Sequence, residues 1–417
     1  MKNLNFVLCF LAAGILLTTC KNETDPEKNS AQDPIVIDLS TTELQMANES
    51  QDFAANLFSA IYDLNANSEN IAISPLSLNM ALAMTWNGAN GETKQAIQQA
   101  MGMGDYPQSE VNGYFQKLRE DFLKTDPTVK LAIANSIWTD QGFPVKQSFY
   151  DVNKNYYQAE VKDVDFKSTN TVSLINQWCS DNTNGLIKEM LQTIPSDVVM
   201  CLINALYFKG EWADRFDASA TRDAAFTKED GSSVQVKMMN QDNLFVYSQN
   251  DYLSTVSLPF GNNAFSMVFF LPNENVSFTE MLNQLKQPGY FATCLQSGST
   301  ADVDLYIPKF TTEYGITLNE VLKQLGMEIA FTPGLADFSG ISDIPLYISD
   351  VILKTSVSID EKGGEAASVT VVGMEFTDAL PPTPQKVVFR ADHPFLFAIR
   401  ENSTGVVLFM GKTGEPE

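Results

Sequence analysis

The chain has 417 residues, with 51 Asp and Glu against 27 Lys and Arg, and a formal net charge of −24 at pH 7. That excess of carboxylates excludes a nucleic-acid binder, which needs clustered Lys and Arg to meet phosphates, and it repels an anionic membrane surface. Hydrophobic residues make up 44% and include 27 Phe, which excludes a disordered chain and allows a large core.

The N-terminus, MKNLNFVLCFLAAGILLTTCKNETDPEKNS, places Lys2 before an apolar run from Phe6 to Leu17 and then a cysteine followed by polar residues. This pattern reads as an export signal, too short for a comfortable membrane span. Leu17-Thr18-Thr19-Cys20 resembles the bacterial lipoprotein signal, in which the cysteine becomes the lipidated first residue, although Thr19 stands where Gly, Ala or Ser is usual. An ordinary cleaved signal peptide is the alternative. The expected organisation is a lipoprotein signal peptide over 1–19, a flexible tether over 20–40 and a single domain over 41–417, with membrane contact only through lipid on Cys20 and the protein held on the bacterial envelope, surface exposure being one of the arrangements this allows.

Within the expected domain, QDFAANLFSAIYDL spaces Phe53, Leu57, Ile61 and Leu64 as one face of a helix. ISPLSLNMALAMTWNGANG offers Ser74 as N-cap, Pro75 at the first helical position and Asn87-Gly88 as a stop. Between them Leu76, Leu78, Met80, Leu82, Met84 and Trp86 cover every face, so this helix should be buried. SLINQWCSDNTNGLIKEML reads as two helical pieces broken at Asn184-Gly185. VMCLINALYF, VQVKMM, FSMVFFLP and DVDLYIP read as strands, and HPFLFAIRENSTGVVLFMG as two strands joined by a polar turn. Helices lead and strands dominate later, without repeat or linker, which predicts an α+β domain.

Catalytic constellations are scarce. His393 is the only histidine, and without a GxSxG turn or comparable nucleophile it reads as structural. Cys179, Cys201 and Cys294 have no disulfide or zinc spacing and read as small buried hydrophobes. NGANGET lacks the spacing of a phosphate cradle. No catalytic residue, cofactor or metal site is expected.

The unusual stretch is SIDEKGGEAASVTVVGMEFTDALPPTPQKVVF. Gly363 to Ser368 include no large apolar side chain, Val369 to Val372 favour a strand, and Pro381, Pro382 and Pro384 forbid regular pairing. Four separated motifs then carry a resemblance to the serpin family, from about Leu44 to Gly411. NIAISPLSLNMALAMTWNGANGET resembles the family's buried second helix, LINALYFKGEW the strand bearing Asn204 and Trp212, HPFLFAIRENSTGVVLFMGK the C-terminal hairpin, and IDEKGGEAAS the hinge.

The resemblance implies a serpin fold of three sheets and eight or nine helices, no enzymatic activity, and an exposed reactive loop. A target serine protease cuts that loop, and the segment before the cut enters the central sheet as a new strand, trapping the acyl-enzyme. It implies a hinge of Glu361, Gly363, Gly364, Glu365, Ala366, Ala367 and Ser368. It also implies a sheet-opening region of Ser74, Ser77, Asn204, Trp212 and Lys309, with Lys309 paired to Glu361 and Leu353 standing where a histidine is usual. Gly364, Ala366, Ser368, Thr370, Val372 and Met374 would alternate to one face of the inserted strand, small residues leading. In the family the reactive bond follows the seventeenth residue counted from the hinge glutamate, so with Glu361 as the first the resemblance implies a bond at Thr377-Asp378, with Phe376 the runner-up. No Lys or Arg lies between Lys362 and Lys386, so the expected partner is an elastase-like or chymotrypsin-like protease, held in a covalent acyl complex by a monomer. The alternative is a non-inhibitory serpin-fold binding protein.

Overall fold

The computed structural model describes residues 33–65, 68–363 and 386–416. Cys20, the hinge residues Gly364, Glu365, Ala366, Ala367 and Ser368, and the bond residues Phe376, Thr377 and Asp378 lie outside the described residues.

Helix α1 (Thr41–Leu64) starts with a capping box, in which the Ser40 hydroxyl accepts from the Glu43 N–H and the Glu43 carboxylate accepts from the Ser40 N–H. Phe53, Leu57 and Ile61 are buried along it, while Leu64 is exposed in the last turn. The segment just before α1 corrects the expected tether at its C-terminal end. Ile37 and Leu39 are buried, the Thr125 hydroxyl donates to the Ile35 carbonyl at 3.0 Å, and the Ile37 N–H donates to Ser403 Oγ at 3.0 Å. Residues 35–39 therefore belong to the folded body, because two apolar side chains and three backbone groups find partners there.

After β1 (Asn70–Ile73) comes α2 (Pro75–Trp86), which Ser74 caps and which is buried on nearly every face. Helices α3 (Gly91–Ala100) and α4 (Gln108–Thr125), strand β2 (Lys130–Asp140), helix α5 (Gln147–Tyr157), strand β3 (Glu160–Val164) and helix α6 (Thr169–Asn182) follow. Asn184 and Gly185 take φ of 51° and 80° and end the helical course. No second helical piece follows, contrary to the expectation for LIKEML. Residues 186–199 form an irregular strap. Its Ile187, Met190, Leu191 and Ile194 pack on a small core containing Trp138 and Trp178. The Asn176 side chain accepts from the N–H groups of Met190 and Leu191, both at 2.8 Å, and donates to the Leu191 carbonyl at 2.7 Å. Side-chain bonds thus replace the intrahelical ladder.

The remaining elements are β4 (Met200–Lys209), β5 (Arg222–Thr227), β6 (Ser233–Gln249), β7 (Leu253–Phe260), β8 (Phe265–Pro272), α7 (Phe278–Leu285), α8 (Tyr290–Gln296), β9 (Ser299–Pro308), β10 (Phe310–Thr317), α9 (Asn319–Leu322), β11 (Ile352–Ile359), β12 (Val387–Arg390), β13 (Phe395–Glu401) and β14 (Val407–Thr413). A nine-stranded sheet runs β1-β14-β13-β8-β7-β6-β9-β12, with β5 also paired to β6. β8 is buried at every position, as a strand covered on both faces must be. Two smaller sheets complete the body: β3-β2-β4, and the antiparallel pair β10-β11. The described residues thus form an α+β fold of three sheets and nine α-helices. None of those helices is long and apolar enough to cross a membrane.

His393 joins β8 to the segment after β12. Its Nδ1 lies 3.0 Å from Asp392 Oδ1 and its Nε2 3.1 Å from the Pro272 carbonyl oxygen. Both neighbours accept hydrogen bonds, so the doubly protonated ring satisfies both. Burial works against the charge, but the bonds to Asp392 and Pro272 outweigh it and the pKa is raised. A pKa raised on folding adds stability that is full below the unfolded value of about 6.5 and is lost as pH rises through the folded value. We therefore expect His393→Gln to lower the denaturation midpoint more at pH 5.5 than at pH 8.5. An equal loss at both pH values would contradict the charged ring.

Candidate functional site

Among the described residues β4 pairs only with β2, and β11 only with β10. The outer edges of β4 and β11 carry the hydrogen-bonding groups that a sheet normally pairs. Both strands run toward the same end of the molecule, since Gly363, just beyond β11, bridges Glu211, just beyond β4. A cavity of about 380 Å³ lies between them, lined by residues 200–206 of β4 and 352–356 of β11. Its floor is α2 with Ser74 and Ser77, and the strap flanks it with Leu186, Met190 and Leu191.

The polar groups of the floor bond outward from the cavity. Ser74 Oγ donates to the Leu408 carbonyl at 2.7 Å and caps α2 by accepting from the Ser77 N–H at 3.2 Å. Asn204 Nδ2 donates to Asn135 Oδ1 at 2.7 Å, and Asn135 Nδ2 to the Tyr157 carbonyl at 2.9 Å. Asn204 Oδ1 is buried with no partner. Ser74, Ser77 and Asn204 therefore share one cavity, but no hydrogen bond joins Asn204 to the serines. Leu353, buried on β11 and lining the same cavity, supplies apolar surface and no donor. Thr355 Oγ1, two residues further along β11, is likewise buried and unpartnered.

The top of the gap is clasped. Trp212 donates its indole N–H to the Asp360 carbonyl at 2.9 Å and its backbone N–H to the Lys362 carbonyl at 3.0 Å, and its ring stacks on Phe260 at 4.5 Å. Lys309 Nζ lies 2.8 Å from Glu361 Oε2, and Thr221 Oγ1 donates to Glu361 Oε1 at 2.8 Å. Burial pushes the Glu361 carboxyl up, but the bonds from Lys309 and Thr221 outweigh it and hold the pKa below the usual carboxylate value. Gly363 has φ of 101°, and a Cβ there would sit 2.5 Å from the Trp212 nitrogen and 2.7 Å from the Gly210 oxygen, which only glycine tolerates. The structure thus brings Trp212, Lys309, Glu361 and Gly363 together at one end of the gap, and Ser74, Ser77 and Asn204 along its floor.

Sequence reasoning missed Thr221, Thr355, Asn135 and the strap with its Asn176 clasp. A threonine at an inward position of ILKTSVSI, where the other inward residues are apolar, is the one local signal available. Cys179 and Cys201 also line the gap, and burial pushes both thiols up to about 12. They are inert at neutral pH. No group of His, Cys, Asp and Glu among the described residues could hold a metal ion.

Two strand edges held apart, with a tryptophan, an ion pair and a glycine at their head, agree with the family suggested by the motifs. A family model for Serpin (serine protease inhibitor) matches residues 48–416. The chain belongs to the serpin family. An uncharacterised serpin-like protein of Methanosarcina mazei is 31% identical over the whole of this chain and 99% of its own length. Human neuroserpin is 32% identical over 88% of this chain and 90% of its own. Among solved structures, the thermophilic serpin tengpin in its native state matches with a TM-score of 0.79 at 34% identity, covering 92% of this serpin and 97% of that chain. Human thyroxine-binding globulin matches with a TM-score of 0.79 at 27% identity, covering 90% and 100%. The fold is therefore of the protease-inhibitor type, and it is shared with a serpin named for binding thyroxine.

The unpartnered Asn204 Oδ1 generates a test. A buried acceptor without a donor costs about 1–3 kcal/mol. Leu353→His places an N–H donor across the gap from it, so this variant should resist heat inactivation longer than the parent. Asn204→Leu in the same background should cancel the gain, and a Leu353→His protein that loses activity faster than the parent would refute the pairing.

Proposed function

We propose that this serpin is a suicide-type inhibitor of serine proteases with elastase-like or chymotrypsin-like pockets. The observation that carries the reading is that, among the described residues, β4 pairs only with β2 and β11 only with β10, with the hinge glycine Gly363 bridged to Glu211 at their common end. The protease serine attacks the Thr377 carbonyl and forms an ester, and the bond to the Asp378 nitrogen breaks to release a free amine. The chain between Gly363 and Thr377 then enters the gap and pairs with both edges, carrying the esterified protease with it. Gly364, Ala366 and Ser368 lead the entering face, where small side chains minimise overpacking. The likeness to thyroxine-binding globulin supports the alternative of a non-inhibitory binding protein, against which the small hinge residues weigh.

Incubation with an elastase should give a complex that survives boiling in SDS, and the released C-terminal fragment should begin at Asp378. Gly364→Arg should divert most of the flux to cleaved serpin and active protease, because burying an unpaired guanidinium costs several kcal/mol (~3–5) while deacylation competes. Glu365→Arg, on the opposite face, should be milder. Cleavage without complex for the parent would establish the binding-protein alternative, and efficient inhibition of trypsin would overturn the assigned bond.

We further propose that the protein is exported and anchored to the bacterial envelope by lipid on Cys20, and that it works as a monomer. The apolar run ending at Leu17 and the polar segment after Cys20 support this. Mass spectrometry of the mature protein should find diacylglycerol on Cys20, and a mature N-terminus at any other residue would refute it.

A further inference from the structure

Two polar atoms on facing strands are left without partners in the same cavity. Asn204 Oδ1 on β4 and Thr355 Oγ1 on β11 are both buried and unbonded, and both residues line the gap. The Asn204 amide nitrogen is already committed to Asn135, so the unmet need at that residue is for a donor. The surroundings are apolar: Leu78, Leu82, Leu346, Leu353 and Phe409 all line the cavity. Its volume of about 380 Å³ falls within the roughly 300–1,000 Å³ typical of small-molecule sites. Charge is disfavoured within it. Lys354, the one cationic side chain among the described residues of the lining, gives its ammonium to the Glu189 carbonyl of the strap, and the carboxylates of Asp197 and Asp350 also belong to the lining. An anion would meet no uncommitted cation, and a cation would have to shed its water beside Leu and Phe.

We propose that the gap between β4 and β11 is a ligand site for an uncharged, mainly apolar molecule bearing one hydroxyl or amide N–H donor. The donor bonds Asn204 Oδ1 or Thr355 Oγ1, and the apolar part covers Leu78, Leu82 and Leu353. A molecule held there occupies the space that strand insertion needs, so it acts on the protease reaction by obstruction. That consequence rests on the inhibitory reading above, whereas the binding itself does not.

The test uses the full-length protein and two probes that differ by one hydroxyl, 4-hexylphenol and hexylbenzene, titrated calorimetrically. The phenol should bind saturably with one-to-one stoichiometry and at least tenfold tighter than hexylbenzene. Thr355→Val is nearly isosteric and Asn204→Leu removes the other acceptor: whichever of the two atoms the donor bonds, its single variant should cut that preference at least threefold, and the double variant should abolish it. Absence of saturable binding, equal affinity for the two probes, or a preference that survives in the folded Thr355→Val, Asn204→Leu protein would overturn the site and leave the orphaned atoms to water. Saturating 4-hexylphenol should raise the ratio of cleaved serpin to SDS-stable elastase complex at least threefold, and an unchanged ratio would overturn the obstruction. If the parent forms no complex with any protease, the inhibitory reading falls with its obstruction, and the titration decides the ligand site by itself.

Discussion

The facing edges of β4 and β11, which pair with no strand among the described residues, are the constraint around which the rest of this serpin is arranged. Strand edges that face each other would normally pair, and buried N–H and C=O groups left without partners are expensive. Here each strand is held from its other side. β4 is bonded along its length to β2, with Asn204 opposite Asn135, and β11 is bonded to β10 from Ile352 to Ile359. The large sheet and the core beneath it supply the burial that lets a partly unpaired arrangement persist.

The two hydrophobic clusters meet on β2 and β4, which give Ile133, Ile137 and Leu206 to the main core and Trp138, Ile203 and Ala205 to the small one. The main core takes in α1, α2, the nine-stranded sheet and the inward side of β11, while a separate small core joins Trp138, Ile203 and Ala205 to α6 and the strap. The strap is fixed by discrete polar bonds, three from Asn176 and one from Lys354 to the Glu189 carbonyl. Such bonds break in a few steps and do not require the main core to open.

Much of this was legible in the sequence because local chemistry and global packing agree. Ser74 before Pro75 caps a helix apolar on every face, and FSMVFFLP becomes β8 with its boundaries intact. Lys309 and Glu361, 52 positions apart by subtraction of their numbers, were reachable only through the family resemblance, since spacing says nothing about a long-range ion pair. The failures have physical causes. LIKEML has helix-forming residues, but the reversal at Asn184-Gly185 sends its apolar side chains onto Trp138 and Trp178, and tertiary packing overrides propensity. Ile35 to Leu39 looked like part of a tether because a run so short has no period to read. Asn204 shares the sheet-opening region with the serines, yet its orientation is set by Asn135 on the neighbouring strand, a cross-strand pairing that one sequence does not reveal.

Gly363 links the present arrangement to the proposed one. It sits at φ of 101° within contact distance of Gly210, Glu211 and Trp212, so the clasp needs a residue with no Cβ. A segment that joins a sheet as a new strand needs extended backbone from its first residue onward, which glycine also adopts at no steric cost. Any other residue would be strained in the clasped state. The same glycine therefore permits both conformations, while the Trp212 bonds to the Asp360 and Lys362 carbonyls and the Lys309 to Glu361 pair hold the first. In the proposed insertion, opening the clasp would break a small set of bonds at one end of the gap, and pairing the two long edges below it would replace them many times over, which would give the transition its direction.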